Sequence, residues 1–156
     1  VYGVGPHGTI LVNGKPYKSG VQTFIERAAA GKDIELWGDP HIKRDIVYVK
    51  DVARAYRLAL GSDNALGLYN MTSGTQLDLQ EQAEIIIDVF GEGKGSKITY
   101  RPDKPNATPS FLYSMEKAKR DFGFVPAYVD YRSMMEDYKK ELESGRWSML
   151  SSRREE

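Results

Sequence analysis

Cysteine is absent from this 156-residue chain, so disulfide staples and thiolate metal sites are excluded. Histidine is scarce. His7 and His41 are the only two, and no carboxylates accompany them at a metal-ligand spacing. An excess of either charge is missing as well: 22 Lys+Arg against 22 Asp+Glu give zero formal net charge. A dedicated nucleic-acid binder rests on a surplus of phosphate-neutralising cations, so nucleic acid is not an expected partner. No apolar run reaches the ~18 residues of a membrane-spanning helix, and no charged-then-apolar leader opens the sequence. The chain therefore reads as soluble and cytoplasmic, with no membrane partner. An initiator Met is lacking too, since Val1-Tyr2-Gly3 runs directly into turn chemistry, and the chain is read as a piece of something longer.

What is present suits one domain, residues 1–150, with a polar tail at 151–156 expected to fray. Gly3, Gly5, Pro6, Gly8, Asn13-Gly14 and Pro16 break every periodic run before Ser19, so this stretch reads as loop. Val21, Phe24, Ile25 and Ala28 then recur at helical spacing behind Ser19 as cap, predicting a helix over 20–30. A strand is expected at 34–37 and another at 46–49, with Asp51 capping the helix that follows. A further strand is expected at 67–71. Asp78 with Glu81 forms a capping-box pattern before the cleanest amphipathic run, Leu79, Ala83, Ile86, Ile87 and Phe90. A last strand at 97–100 precedes the stiff stretch of Pro102, Pro105 and Pro109, and two helices, over 115–122 and 132–143, close the chain. The Met134, Met135, Tyr138 and Leu142 stripe reads as core or as an interface with a further part. Strands alternating with helices make an α/β architecture, with too few strands for a complete doubly wound sheet.

Several motifs fail on context. Gly3, Gly5 and Gly8 spell G-x-G-x-x-G, but a dinucleotide loop needs a strand before it and a helix directly after it. Tyr-x-x-x-Lys, in which an ammonium lowers a phenol pKa for general acid/base work, occurs at Tyr100/Lys104 and Tyr113/Lys117. The first straddles Pro102 and the second has no Ser or Thr partner, so both read as structural. Asn70-Met71-Thr72 and Asn106-Ala107-Thr108 match the glycosylation acceptor, which carries little without a leader. His7 and His41 read as solvated loop residues.

One segment is denser. Gly38-Asp39-Pro40-His41-Ile42-Lys43-Arg44-Asp45-Ile46-Val47-Tyr48-Val49-Lys50-Asp51-Val52-Ala53 places a turn, a forked cation and a helix start in close succession. It resembles the G-D-x-x-x-x-R-D-x-x-Y-V-x-D-V-A signature of the extended short-chain dehydrogenase/reductase superfamily, the NAD-dependent nucleotide-sugar epimerases and dehydratases. Other landmarks resemble that family in the same order. They are Val1-Tyr2-Gly3 with Pro6, Phe24-Ile25 with Gly31-Lys32, Leu68-Tyr69-Asn70-Met71 with Ser73-Gly74, and Lys117-Ala118-Lys119 with Phe122-Gly123-Phe124 and Pro126.

The resemblance implies the carboxy-terminal, substrate-binding portion of an extended Rossmann-type epimerase/dehydratase, lacking the main NAD-binding sheet. NAD or NADP would be held mainly by an amino-terminal Rossmann part, which would also carry the catalytic residues, so none is assigned here and the fragment alone is expected to be inactive. The implied ligand is a nucleotide-diphosphate sugar, and a homo-oligomer is expected. By the same resemblance Arg44 contacts the diphosphate, where paired guanidinium donors match phosphate oxygens. The competing reading is a loop salt bridge with Asp45. Arg101 resembles a second diphosphate contact, in a loop that departs from the family in length, with Ser114 in place of a common Asp. Glu35 and Trp37 lie where the family sets backbone and an aromatic ring against the base, although Trp37 also suits a core. Asn70 matches an Asn beside the phosphates. The alternative function is a non-catalytic nucleotide-binding or structural module docking on a Rossmann subunit.

Overall fold

The computed structural model describes residues 1–5, 9–12, 15–106 and 110–147, with backbone alone for 9–12, 15 and 16. His7, Gly8, Asn13-Gly14, Ala107-Thr108, Pro109 and the 151–156 tail lie outside the described residues. The elements in chain order are β1 (Thr9–Val12), β2 (Lys15–Lys18), α1 (Gly20–Ala29), β3 (Ile34–Trp37), β4 (Arg44–Asp45), α2 (Val49–Leu60), β5 (Gln76–Leu77), α3 (Leu79–Phe90), β6 (Ile98–Arg101), α4 (Glu116–Phe122) and α5 (Tyr131–Glu143). The strands pair two by two: β1 with β2 antiparallel, β3 with β6 parallel, and β4 with β5 antiparallel.

Local chemistry sets most helix starts. Ser19 Oγ accepts from the Gln22 amide at 3.3 Å. The α3 capping box closes in both directions, Glu81 N–H to Asp78 Oδ1 at 2.8 Å and Asp78 N–H to Glu81 Oε2 at 3.0 Å. Asp130 accepts from Ser133 N–H at 2.8 Å to start α5. α3 packs between α1 and α5, and the main core gathers Phe24, Ile25 and Ala28 from α1, Ile34 and Leu36 from β3, Ala83, Ile86 and Phe90 from α3, and Met134, Met135 and Tyr138 from α5. Leu142, the last of the expected stripe, stays exposed. A second cluster of Ala55, Ala118, Phe122 and Phe124 joins α2 to α4.

Four expectations are corrected. The stretch before Ser19 is not all loop: β1 and β2 pair with Val12 opposite Lys15, and Asn13-Gly14, a strong hairpin dipeptide, stands between them in sequence. Pro16 masked that signal, since proline inside a run argues against a strand. The strand expected at 46–49 begins earlier, at Arg44, and ends at Asp45. Ile46, Val47 and Tyr48 follow it buried, Tyr48 bridges to Tyr2, and Val49 already opens α2. Asp51 is not the cap of α2. It sits in the first turn, where its carboxylate accepts from the Ala127 and Tyr128 amides at 2.8 and 2.9 Å. Residues 67–71 form no strand, and Leu68 is 93% exposed. An extended run without a neighbouring edge to pair with has no ladder to hold it.

Gly3, the first glycine of the G-x-G-x-x-G run, has a packing role. Its φ is +137°, and a Cβ there would stand 2.3 Å from Val49 Cγ1 and 3.1 Å from Tyr48 Cε2. Gly3→Ala is expected to cost about 2 kcal/mol by strain and overpacking, read as a lower midpoint in urea. An unchanged midpoint would show that residues 1–5 are not seated on α2.

Candidate functional site

The parallel pairing of β3 with β6 is the scaffold of the site. Register sets Glu35 opposite Thr99 and Trp37 opposite Arg101. The strand period buries Ile34 and Leu36 completely and turns Glu35 and Trp37 to the other face. Trp37 is therefore not core: it is 47% exposed. Its indole N–H donates to Glu35 Oε1 at 2.6 Å, and Lys104 Nζ lies 2.8 Å from the same oxygen and 4.2 Å from the ring centroid. The Lys104 hydrogen bond, with Trp37 adding to it, holds the Glu35 carboxyl below the usual carboxylate range.

Arg44 reaches the same place from β4. The short ladder with β5 pairs it with Leu77. Its expected rival interaction does not form: Asp45 instead accepts from the Thr72 hydroxyl and, at 2.8 Å, from the Tyr113 amide. The Arg44 guanidinium donates through Nη2 to Asn106 Oδ1 at 2.7 Å. Arg44 Nε and Asn106 Nδ2 are both buried without a partner. An unpaired buried donor costs about 1–3 kcal/mol, so two together are a strained arrangement for a protein to keep. Both residues line a cavity of about 510 Å³ together with Lys18, Phe24, Arg27, Glu35, Trp37 and Pro105. Among the described residues the lining thus carries three cations and one carboxylate, Glu35, with Lys18 also paired to Glu26 and Arg27 to the Asp33 carbonyl.

Of the five residues singled out in the sequence, Glu35, Trp37 and Arg44 converge on this cavity. Arg101 is adjacent but occupied, with Nη2 2.8 Å from Asp103 Oδ2 and Nη1 3.4 Å from Glu35 Oε2. Asn70 is not brought there; its amide donates to the Ser114 carbonyl at 3.3 Å. The sequence reading missed Asn106 and Lys104 as members of the site. Asn106 was visible only as the start of an acceptor tripeptide, and Lys104 as half of a Tyr-x-x-x-Lys pair. That pair does not meet: Tyr100 donates to Gln80 Oε1 at 3.1 Å while Lys104 serves Glu35. In the second pair Lys117 Nζ donates to the Leu66 and Leu68 carbonyls at 3.0 Å. His41 sits exposed, its Nδ1 3.1 Å from Asp78 Oδ2.

The setting of Gly3 does not fit a dinucleotide loop. Gly3 is filled by Val49 rather than open to a pyrophosphate, and the next helix begins only at Gly20. Among the described residues no group of three or more His, Asp or Glu could hold a metal ion, and no helix is long and apolar enough to cross a membrane.

The site is thus a cavity lined by cations beside a half-exposed indole, on an α/β scaffold. Residues 1–71 match the model of the NAD dependent epimerase/dehydratase family. The chain is 28% identical over 133 residues to a dTDP-4-dehydro-6-deoxy-D-allose reductase of a Streptomyces species, covering 85% of this chain and 37% of the relative. It is 30% identical over 114 residues to a dTDP-glucose 4,6-dehydratase of Streptomyces niveus, covering 70% and 33%. Among solved structures the epimerase Mth375 of Methanothermobacter thermautotrophicus superposes with a TM-score of 0.73 at 24% identity, over 87% of this chain and 40% of that one, a likeness of fold. These matches fall in the family that the ordered motifs resemble, the extended short-chain dehydrogenase/reductase superfamily with its epimerases and dehydratases. The chain spans about a third of the length of the curated relatives it matches.

Proposed function

We propose that this chain is the nucleotide-sugar-binding, carboxy-terminal portion of an NAD(P)-dependent epimerase or dehydratase, with Arg44 as its diphosphate contact and Trp37 beside the base. The observation that carries this reading is the buried, unpartnered Nε of Arg44, a residue that lines the same cavity as Trp37. A guanidinium gives paired donors to phosphate, and an indole face stacks on any base. Glu35, already engaged by Lys104 and Trp37, would hold the ring in place. The relatives' lengths support the assignment of hydride chemistry, cofactor and catalytic groups to a further part, and this portion would contribute positioning. Assembly into a homo-oligomer belongs to the same reading.

Titration calorimetry of the chain with UDP and dTDP tests it. Arg44→Ala is expected to weaken binding by about tenfold or more, the worth of a charge-assisted contact. Equal affinity in wild type and variant, or no binding by wild type, would remove the reading.

A further inference from the structure

We propose that Asn106 is a second binding residue for the diphosphate, donating from its amide beside Arg44. This rests on the nucleotide-sugar reading and deepens it. Arginine has donors only, so the Asn106 atom facing Nη2 at 2.7 Å must be the carbonyl oxygen. The amide nitrogen of Asn106 is thereby committed to the opposite side, where it is buried and unpartnered, as is Arg44 Nε. Both residues line the same cavity. Two donors from chain positions 62 apart, locked to one another by their own hydrogen bond, ask for an acceptor with more than one oxygen. A phosphate group or a diphosphate offers several.

The surroundings hold Asn106 in this pose. A Cβ on Gly38 would lie 2.8 Å from Asn106 Cβ and 3.1 Å from its backbone nitrogen, so only a glycine at the end of β3 lets residues 104–106 settle this closely. Its φ of +66° also favours glycine. Two residues earlier, Lys104 is tied to Glu35 and lies over Trp37, which fixes the loop on the strand that would meet the base. Asn106 thus joins the base side of the cavity to its phosphate side.

Calorimetry with UDP and with uridine, together with thermal melts, tests the assignment on the chain and three variants: Arg44→Ala, Asn106→Ala and Asn106→Asp. The aspartate keeps an acceptor for Arg44 but replaces the free donor with a negative charge. Asn106→Asp is therefore expected to leave the melting temperature unchanged or raised, to weaken UDP by about tenfold or more, and to leave uridine unchanged. Asn106→Ala should fall between it and wild type for UDP. If Asn106→Asp binds UDP like wild type while Arg44→Ala loses it, Asn106 is no ligand and the function reading stands. A parallel loss of uridine and UDP in Asn106→Asp would mark a merely structural residue and overturn the proposal. If wild type itself ignores UDP, the function reading fails first.

Discussion

Replacing Asp51 with alanine is expected to destabilise the chain by about 3 to 5 kcal/mol, the typical loss on breaking a buried charged hydrogen-bond set. The carboxylate is 2% exposed and spends its two oxygens on the Ala127 and Tyr128 amides, with Arg54 Nη2 3.4 Å away. Alanine would leave two backbone donors and a cation without a partner. The link also has long reach, since it ties the first turn of α2 to the turn between α4 and α5, 76 residues on. Asp51→Asn keeps one acceptor and should cost roughly half as much. Urea unfolding measures both, and a loss below about 1 kcal/mol for alanine would show that residues 127 and 128 find other acceptors. Because the residue lies away from the cavity lining, any of the protein that remains folded should bind UDP as wild type does.

Stability should also fall steeply in alkali. Tyr48 and Tyr131 are nearly inaccessible, and Tyr2 is partly buried against the same core. Burial pushes the Tyr2 phenol up to about 12 and raises Tyr131 well above the ordinary value. Burial, aided by its hydrogen bond to Asp137 at 2.8 Å, raises Tyr48 too. In the unfolded chain all three ionise near the ordinary value of 10. Above that pH the folded state therefore holds more protons than the unfolded one, and stability declines as pH rises. Below it the contribution is complete. Each buried phenol removes about 1.4 kcal/mol per pH unit while only its unfolded form ionises, so the three together approach ~4 kcal/mol per unit. For Tyr2 the decline runs from pH 10 to about 12.

The Tyr131 hydroxyl gives this prediction an internal control, because it is buried and has no partner. Tyr131→Phe should raise stability at neutral pH by about 1 kcal/mol and take about a third off the alkaline slope. Urea midpoints measured from pH 7 to 11 read both effects. A flat profile would mean that these phenols already meet water.

Helices and strands differ in how far sequence could carry them. Helices were legible because their determinants lie within one turn: Ser19 and Gln22, Asp78 and Glu81, and the three-and-four spacing of Ala83, Ile86, Ile87 and Phe90. The segments 34–37 and 97–100 were legible as strands, but not that the resulting β3 and β6 lie side by side. Residues 67–71 carry a strand-like composition that the tertiary structure leaves without a ladder. Asp51 shows the limit at a single position. A carboxylate beside a helix start reads as a cap, and only the fold reveals that the turn at 127–128 takes it instead.

The sequence by itself determined the helices, the α/β class, the family likeness and three of the residues that gather at the cavity. Tertiary structure alone decided that Arg44 pairs with Asn106 rather than its neighbour Asp45, that Arg101 is held by Asp103 and Glu35, and that Asn70 lies elsewhere. The reason is physical. Capping and periodicity are short-range and leave their mark on adjacent residues, whereas a guanidinium chooses its partner among whatever groups the packed core brings within about 3 Å, a competition that chain distance does not govern.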